Sequence, residues 1–404
     1  MPERAKKESN PNFPSELLDL LAGNNELELQ DVDILLDELH VLFQPGMMMA
    51  APPAVAALKS AAKPTSLLDA PFTFPIQKYP GQVAEVTLGA TKSEGGTRGK
   101  TVTIGGEKSP AFYTFESPTL NPPVVSFDVF DSKTALPKAV RNELGDAYQD
   151  PVSWSKFVVN KLGADMVTLH LVSIDPLNPK PATPAEAVRT VEDVLQAVDV
   201  PLVVGGCGDP EKDLAVFEKV TAACEGERLL ISTITLDMDI EKSAKLVEKH
   251  GHVALAFSPM DLNQARELNR RLLEYLPKER IIMDTTTAAL GYGLDYAFTI
   301  MERARLSGLM GDPELQQPMS SGTTNAWAAR EAWKTLDPEW GDKNLRGPLW
   351  EVVTGLTLML AGVDLFMMLH PAAVKTLRNV IKRLTTKTGT LDAEKIANWV
   401  SSTL

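Results

Sequence analysis

The sequence is poor in the residues that build metal clusters and disulfide frameworks. Its 404 residues include two cysteines, Cys207 and Cys224, and five histidines. Two cysteines cannot form a disulfide framework, and alone they cannot ligate an iron–sulfur cluster or a four-cysteine zinc site. We therefore predict ordinary buried cysteines in a reducing cytoplasm.

Long apolar runs and an excess of basic charge are also missing. The N-terminus, MPERAKKESNPNFPSE, lacks the apolar core of a signal peptide. The most apolar stretch, 356–369, is interrupted by Thr357, Gly362 and Asp364, and is typical of a buried helix and strand rather than a membrane span. A net charge of −13 argues against a nucleic-acid partner. The sequence thus predicts a soluble cytoplasmic protein with no membrane and no nucleic-acid partner.

The first 80 residues differ from the rest of the chain. Residues 1–46 are acidic, and within them the stretch 32–43 has apolar residues at helical spacing. Residues 47–75 are rich in alanine and proline and are typical of a linker. We predict that residues 1–80 form an extension whose apolar helix face covers the main domain or docks on another subunit.

A small β element is predicted at residues 81–122, ahead of the main domain. The runs 82–89 and 100–104 are rich in strand-forming residues and are separated by a glycine-rich turn segment. The run 111–115 is a third candidate strand.

The main domain is predicted to be a (β/α)₈ barrel over residues 123–390, followed by a tail at 391–404. Short apolar runs alternate with amphipathic helical stretches. The candidate strands are 124–130, 166–172, 202–205, 229–232, 253–257, 281–284, a weak one at 318–321, and 363–369. The candidate helices are 153–161, 184–197, 211–223, 240–249, 262–275, 296–306 and 372–383. A doubly wound open sheet is the alternative, but no GxGxxG or GxxxxGK[ST] motif follows any strand.

In such a barrel, functional residues lie after the C-terminal ends of the strands. These ends carry Asp128, Asp131, His170, the run 205–210, Ser232, Ser258, the run 284–287, the run 320–325 and His370. In the run 205–210 the glycines permit close backbone approach, and Asp209 can cap the next helix. The hydroxyl-rich runs offer many neutral donors, which favours a polar, amide-bearing or pterin-like ligand over a phosphate or a metal ion. Helix capping, turn formation and core-edge histidines are the structural alternatives.

Several segments, in the same order along the chain, resemble one protein family. They are GGCGDPEKD (205–213), MDTTTAALGYG (283–293), SSGTTNAWAAREAW (320–333) and the hairpin region from 83 to 116. They resemble the delta, or small, subunit of the corrinoid iron–sulfur protein of the acetyl-CoA synthase/decarbonylase complex. The resemblance implies a barrel that pairs with a large (gamma) subunit, with a corrinoid (cobamide) at the interface and the iron–sulfur cluster in the large subunit only.

The resemblance also implies a function and a set of site residues. Such an assembly accepts a methyl group from a methyl-pterin through a methyltransferase and exchanges it with acetyl-CoA synthase. The family is similar to pterin-binding methyltransferase barrels, and by that similarity the expected cofactor-binding residues are Asp284, Thr286, Thr287, Ser321, Asn325 and His370. No catalytic or metal-ligating residue is assigned. The chain lacks the DxHxxG pattern that supplies a histidine to cobalt in many cobalamin domains.

Two other functions remain open from the residues. The hydroxyl-rich mouth with Asp284 and Asn325 also fits a free-standing pterin-dependent methyltransferase. A scaffold whose mouth binds nothing is the third alternative.

Overall fold

The computed structural model describes residues 75–132 and 134–386. The predictions made for residues 1–74 and for the tail at 391–404 lie outside the described residues, and the domain limits stay predictions.

The described residues form ten strands and nine α-helices. The strands are β1 (Glu85–Leu88), β2 (Val102–Gly105), β3 (Val124–Phe130), β4 (Met166–His170), β5 (Leu202–Gly205), β6 (Leu230–Ile234), β7 (Val253–Phe257), β8 (Ile281–Asp284), β9 (Ser320–Ser321) and β10 (Leu365–Met368). The helices are α1 (Lys138–Leu144), α2 (Pro151–Asn160), α3 (Pro184–Ala197), α4 (Pro210–Ala223), α5 (Ile240–Lys249), α6 (Leu262–Leu273), α7 (Leu294–Leu309), α8 (Lys343–Leu360) and α9 (Pro371–Thr385).

Strands β3 to β10 form a parallel barrel. Neighbouring strands follow the order β8-β7-β6-β5-β4-β3-β10-β9. The ring closes between β8 and β9, where Met283 and Met319 form a parallel bridge and the Met283 amide donates to the Pro318 carbonyl over 2.9 Å. Each connection between consecutive barrel strands contains at least one helix, so the (β/α)₈ prediction is confirmed and the open sheet is excluded.

A two-stranded hairpin covers the N-terminal end of the barrel. Strands β1 and β2 pair antiparallel, and their buried side chains join the apolar interior of the barrel, where Ile104 belongs to the same cluster of buried residues as Val203 and Leu230. Arg98, which is 3% exposed, follows β1 and donates to Glu227 and to carbonyls that precede β5. The hairpin thus fills the N-terminal end of the barrel interior, and the strand-end residues lie at the opposite, C-terminal mouth.

A second buried ion cluster ties α7 to the last strands. Arg305 is 4% exposed and lies 2.6 Å from the Asp364 carboxylate and 3.0 Å from that of Glu107. Asp364 also accepts the Met319 amide over 2.7 Å, so the same carboxylate positions the start of β9. The cluster therefore holds the point at which the barrel closes.

Two local predictions differ from the structure. Residues 111–115 form turns instead of a strand, and Phe112 has a left-handed φ of 61°, which no extended strand permits. Helix α8 is absent from the predicted helices except for the apolar stretch that begins at 356, and it forms although Gly347, Pro348 and Gly355 disfavour a helix. Tertiary packing outweighs these local preferences, since a side chain at Gly347 would lie 2.2 Å from the Trp327 ring.

Candidate functional site

The uppermost inward-facing positions of the barrel are polar. Successive side chains of a strand point to opposite sides, so residues two positions apart share a side. Asp128 on β3, His170 on β4 and Asp284 on β8 each lie two positions after a residue that faces the barrel interior, and they therefore also point inward. Lower in the barrel the same alternation places Ser126 beside Thr168, with 2.7 Å between their hydroxyls. The floor of the mouth is therefore formed by two buried carboxylates and a histidine.

Asp284 is held by its own loop and by the next strand. Its Oδ1 accepts the Thr286 amide over 2.9 Å, and its Oδ2 accepts the Ser320 hydroxyl over 3.0 Å. The residue is 4% exposed, and burial raises the pKa of its carboxyl group to about 6. Thr286 has a φ of 72° and donates its hydroxyl to the Ser258 carbonyl. A threonine in this conformation is strained, and such strain is concentrated at functional sites.

Three other hydroxyl groups from the runs 284–287 and 320–325 form hydrogen bonds with one another. Thr287 Oγ1 lies 2.8 Å from Ser321 Oγ, which lies 2.9 Å from Thr323 Oγ1, and all three residues are buried. Exposed Asn325 donates its Nδ2 to the Thr287 carbonyl over 3.1 Å. The structure thus brings Thr287, Ser321 and Asn325 together, and of these Asn325 faces solvent.

Asp128 and His170 form a pair that the sequence pattern did not reveal. His170 Nε2 lies 3.2 Å from Asp128 Oδ1, and the Thr324 hydroxyl donates to Asp128 Oδ2. The Phe130 ring stacks on the His170 ring at 5.0 Å between centroids. The sequence places each residue at its own strand end, and only the adjacency of β3 and β4 in the barrel indicates their pairing.

His370 is a helix cap in this structure. It is 4% exposed, and its Nδ1 accepts the Ala372 amide over 3.1 Å at the start of α9. Its ring stacks on Trp327 at 5.8 Å, and burial lowers its pKa to about 4. A neutral ring that accepts at Nδ1 carries its proton on Nε2, so it is not set to bind a metal through either nitrogen.

The glycine-rich run after β5 is organised by Asp213. This carboxylate is 3% exposed and accepts the Cys207 amide over 2.8 Å and the Gly208 amide over 2.9 Å. At Gly206 a Cβ would lie 2.2 Å from the Asp213 carboxyl carbon, so only glycine permits this approach. Asp209 caps α4 through the Lys212 amide, as predicted. Burial raises the pKa of Cys207 to about 11, which disfavours a reactive thiolate.

We expect the Asp213→Ala variant to lose about 2 kcal/mol in the free energy of unfolding, because two hydrogen bonds to a buried carboxylate are lost. Urea denaturation measures the loss. Asp209→Ala is the matched control, since it removes one helix cap and should cost about 1 kcal/mol. Equal losses in the two variants would contradict the organising role of Asp213.

The described residues contain no group of three or more histidine, cysteine, aspartate or glutamate side chains arranged to hold a metal ion. Among the same residues, none of the helices has the length and apolar character needed to cross a membrane.

Comparisons with known proteins give a consistent family. Residues 85–337 match the family described as "CO dehydrogenase/acetyl-CoA synthase delta subunit". The acetyl-CoA decarbonylase/synthase complex subunit delta of Archaeoglobus fulgidus is 53% identical over 84% of this chain and 77% of its own length. The subunit of the same name from Methanocaldococcus jannaschii is 46% identical over 92% of this chain and 93% of its own length. The subunit delta of Methanothermobacter thermautotrophicus is 45% identical over 96% of this chain and 97% of its own length.

Among solved structures, a dihydropteroate synthase of Xanthomonas albilineans in complex with 7,8-dihydropteroate aligns with a TM-score of 0.44 and 17% identity, over 66% of this chain and 95% of that chain. A likeness at this level supports no conclusion about ligand or reaction.

Proposed function

The chain belongs to the family of CO dehydrogenase/acetyl-CoA synthase delta subunits, and from this premise we propose that it is the small subunit of a corrinoid methyl carrier. In this proposal the carrier receives a methyl group from a methyl-pterin through a methyltransferase and exchanges it with acetyl-CoA synthase. The large corrinoid iron–sulfur subunit is its direct partner, and the chain itself is an accessory, non-catalytic component.

The family match carries this proposal. It spans residues 85–337, which include the covering hairpin and the strand ends from β3 to β9. The relatives are named as subunits of a complex, which favours an assembly component over a free-standing enzyme.

The donor set of the mouth fits a corrinoid, whose ring carries amide side chains that donate and accept hydrogen bonds. The rim offers the Asn325 carboxamide and neutral hydroxyls, and the Ser258 hydroxyl is buried without a protein partner among the described residues. Of the two mouth histidines, His370 accepts the Ala372 amide through Nδ1, and the Nε2 atom of His170 lies 3.2 Å from Asp128 Oδ1. The fit is therefore to the periphery of the ring, and the proposal includes no cobalt ligand from this chain.

A bound corrinoid supplies the cobalt that carries the methyl group. The residues of this chain have a simpler task, which is to present a rigid, weakly charged surface. Asn325 is oriented by Thr287 and can accept a ligand amide through its free Oδ1, and the buried rings of Trp327 and His370 stack beneath the same rim segments. Asp284 contributes by fixing the strand ends beside that surface.

Exposed apolar side chains support an assembly role. Helix α8 exposes Leu345 at 62%, Leu349 at 54% and Leu360 at 58%. These residues and Val353 recur at helical spacing on one face. Contiguous exposed apolar surface is typical of proteins that are covered by a partner.

We expect corrinoid absorbance only in a one-to-one complex with the large subunit when the chain is produced alone and together with that subunit. Gel filtration monitored at corrinoid and protein wavelengths measures this. Asn325→Ala should weaken corrinoid retention about tenfold, the effect of losing one or two hydrogen bonds. Asn344→Ala, at an exposed position on α8, is the matched control and should retain the corrinoid.

Two outcomes would overturn the proposal. A stable monomer with no affinity for the large subunit would exclude the carrier role. Methyl transfer from a methyl-pterin to free cobalamin by the lone chain would favour the free-standing methyltransferase, for which the Asp284 and Asn325 mouth is the supporting observation.

A further inference from the structure

Glu351 lies in the middle of α8 and is completely buried. Its Oε1 accepts the Leu369 amide over 2.5 Å. Its Oε2 accepts the Trp327 indole N–H over 2.9 Å and the His370 amide over 3.1 Å. Trp327 follows β9, whereas Leu369 and His370 follow β10, so one carboxylate joins the two segments that border the mouth.

The spacing of α8 explains how the indole reaches this carboxylate. Gly347, Glu351 and Gly355 are four residues apart and share one helix face. A Cβ at Gly347 would lie 2.2 Å from the Trp327 ring, and one at Gly355 would lie 3.4 Å from the Thr323 methyl group. The glycines thus let the segment after β9 pack directly on the helix backbone. Thr354 on the same helix accepts the Leu290 amide from the segment after β8.

The three N–H donors are matched best by the ionised form of Glu351, which predominates above its raised pKa. An ionised carboxylate only accepts hydrogen bonds, and here it meets three N–H donors and, among the described residues, no paired cation. Burial raises the pKa of Glu351 to about 8, against the opposing effect of these donors. A side chain needed only to fill this space would be apolar, because burying a carboxyl group without a cation is unfavourable.

We propose that Glu351 is a positioning residue of the mouth. By its three hydrogen bonds it fixes the segment that carries Asn325 relative to the segment that carries His370. It touches no ligand and acts through the two segments. The expected loss of affinity for the large subunit rests on the proposed function, whereas the expected change in hydrogen exchange does not.

Three variants separate this role from general stability. Glu351→Gln turns an acceptor into a donor that faces an N–H group, so at least one of the three bonds is lost. Glu351→Asp keeps both oxygens and is the conservative variant. Arg98→Met is the matched control, because it disrupts a buried ion pair at the opposite end of the barrel.

Hydrogen exchange of the full chain, followed by mass spectrometry, is the first readout. We expect Glu351→Gln to increase exchange about tenfold at residues 322–328 and 369–372 and to red-shift the Trp327 fluorescence. Arg98→Met should raise exchange chiefly near its own contacts, at 195–200 and 227, and not selectively at 322–328 and 369–372. Glu351→Asp should recover part of the protection. Unchanged exchange in Glu351→Gln, or equal exchange at these residues in Arg98→Met, would overturn the proposal.

Affinity for the corrinoid-loaded large subunit is the second readout. We expect it to fall about tenfold in Glu351→Gln and to stay within twofold in Arg98→Met. If the wild-type chain itself does not bind that subunit, the proposed function fails while the exchange experiment still decides the positioning role. If Glu351→Gln does not fold, Trp327→Phe is the second variant, because it removes one of the three donors. It should give the same increase in exchange at 322–328. Unchanged exchange there would count against the proposal.

Discussion

Arg305→Met is expected to lower the free energy of unfolding by about 3–5 kcal/mol, because removing one partner of a buried ion cluster leaves its acids uncompensated. Arg305 is the cation that the structure places between Asp364 and Glu107, at 2.6 and 3.0 Å. Burial raises the pKa of Asp364 above its ordinary value even with the guanidinium present. Without it, the carboxylate that also holds the Met319 amide would lose its counter-charge.

Urea denaturation monitored by circular dichroism measures this loss. Arg303→Met is the matched control on the same helix, since Arg303 is exposed, and it should change stability by less than about 0.5 kcal/mol. Adding Asp364→Asn and Glu107→Gln to Arg305→Met should recover part of the loss, because neutral amides no longer require a cation. A cost below 1 kcal/mol for Arg305→Met, on the order of a surface substitution, would contradict the role assigned to the cluster.

Asp284→Asn is expected to be more stable than the wild-type chain at pH 7 and about equally stable near pH 4. Burial raises the pKa of Asp284 from its ordinary 3.8 to about 6. A group with a raised folded-state pKa contributes stability that is present in full below its unfolded pKa and is lost as the pH rises through the folded value. The difference amounts to about 3 kcal/mol at pH 7. Asparagine can accept the Thr286 amide and donate to the Ser320 hydroxyl, so both bonds persist.

Denaturation of both proteins between pH 4 and pH 8 tests the sign. Glu351 and Asp364 also have raised pKa values, but they are present in both proteins, so their contributions cancel in the difference. Asp261→Asn is the control of opposite sign, because backbone hydrogen bonds from Gln264 and then Asn263 lower the pKa of Asp261. An advantage of Asp284→Asn that shrinks from pH 4 to pH 7 would show that Asp284 is stabilised as a carboxylate.

The barrel was largely predictable because strands and helices are encoded locally. Candidate strands 124–130, 202–205, 253–257 and 281–284 and helices 184–197 and 240–249 match the structure at both ends. In each, the apolar periodicity agrees with the side that packs on the core. The site was predictable only as a set of strand ends, since the barrel topology gathers these ends at one mouth.

The sequence by itself determined the alternation of elements, the family, the capping by Asp209 and the exclusion of a four-cysteine cluster from this chain. Each depends on residue type or on neighbours within a few positions. Tertiary structure alone decided that α8 forms despite its glycines and proline, that Thr324 bonds Asp128 from 196 residues away, and that Glu351 joins two rim segments. These contacts depend on strand register and barrel closure, which bring distant residues within hydrogen-bonding distance and leave no periodic trace in the sequence.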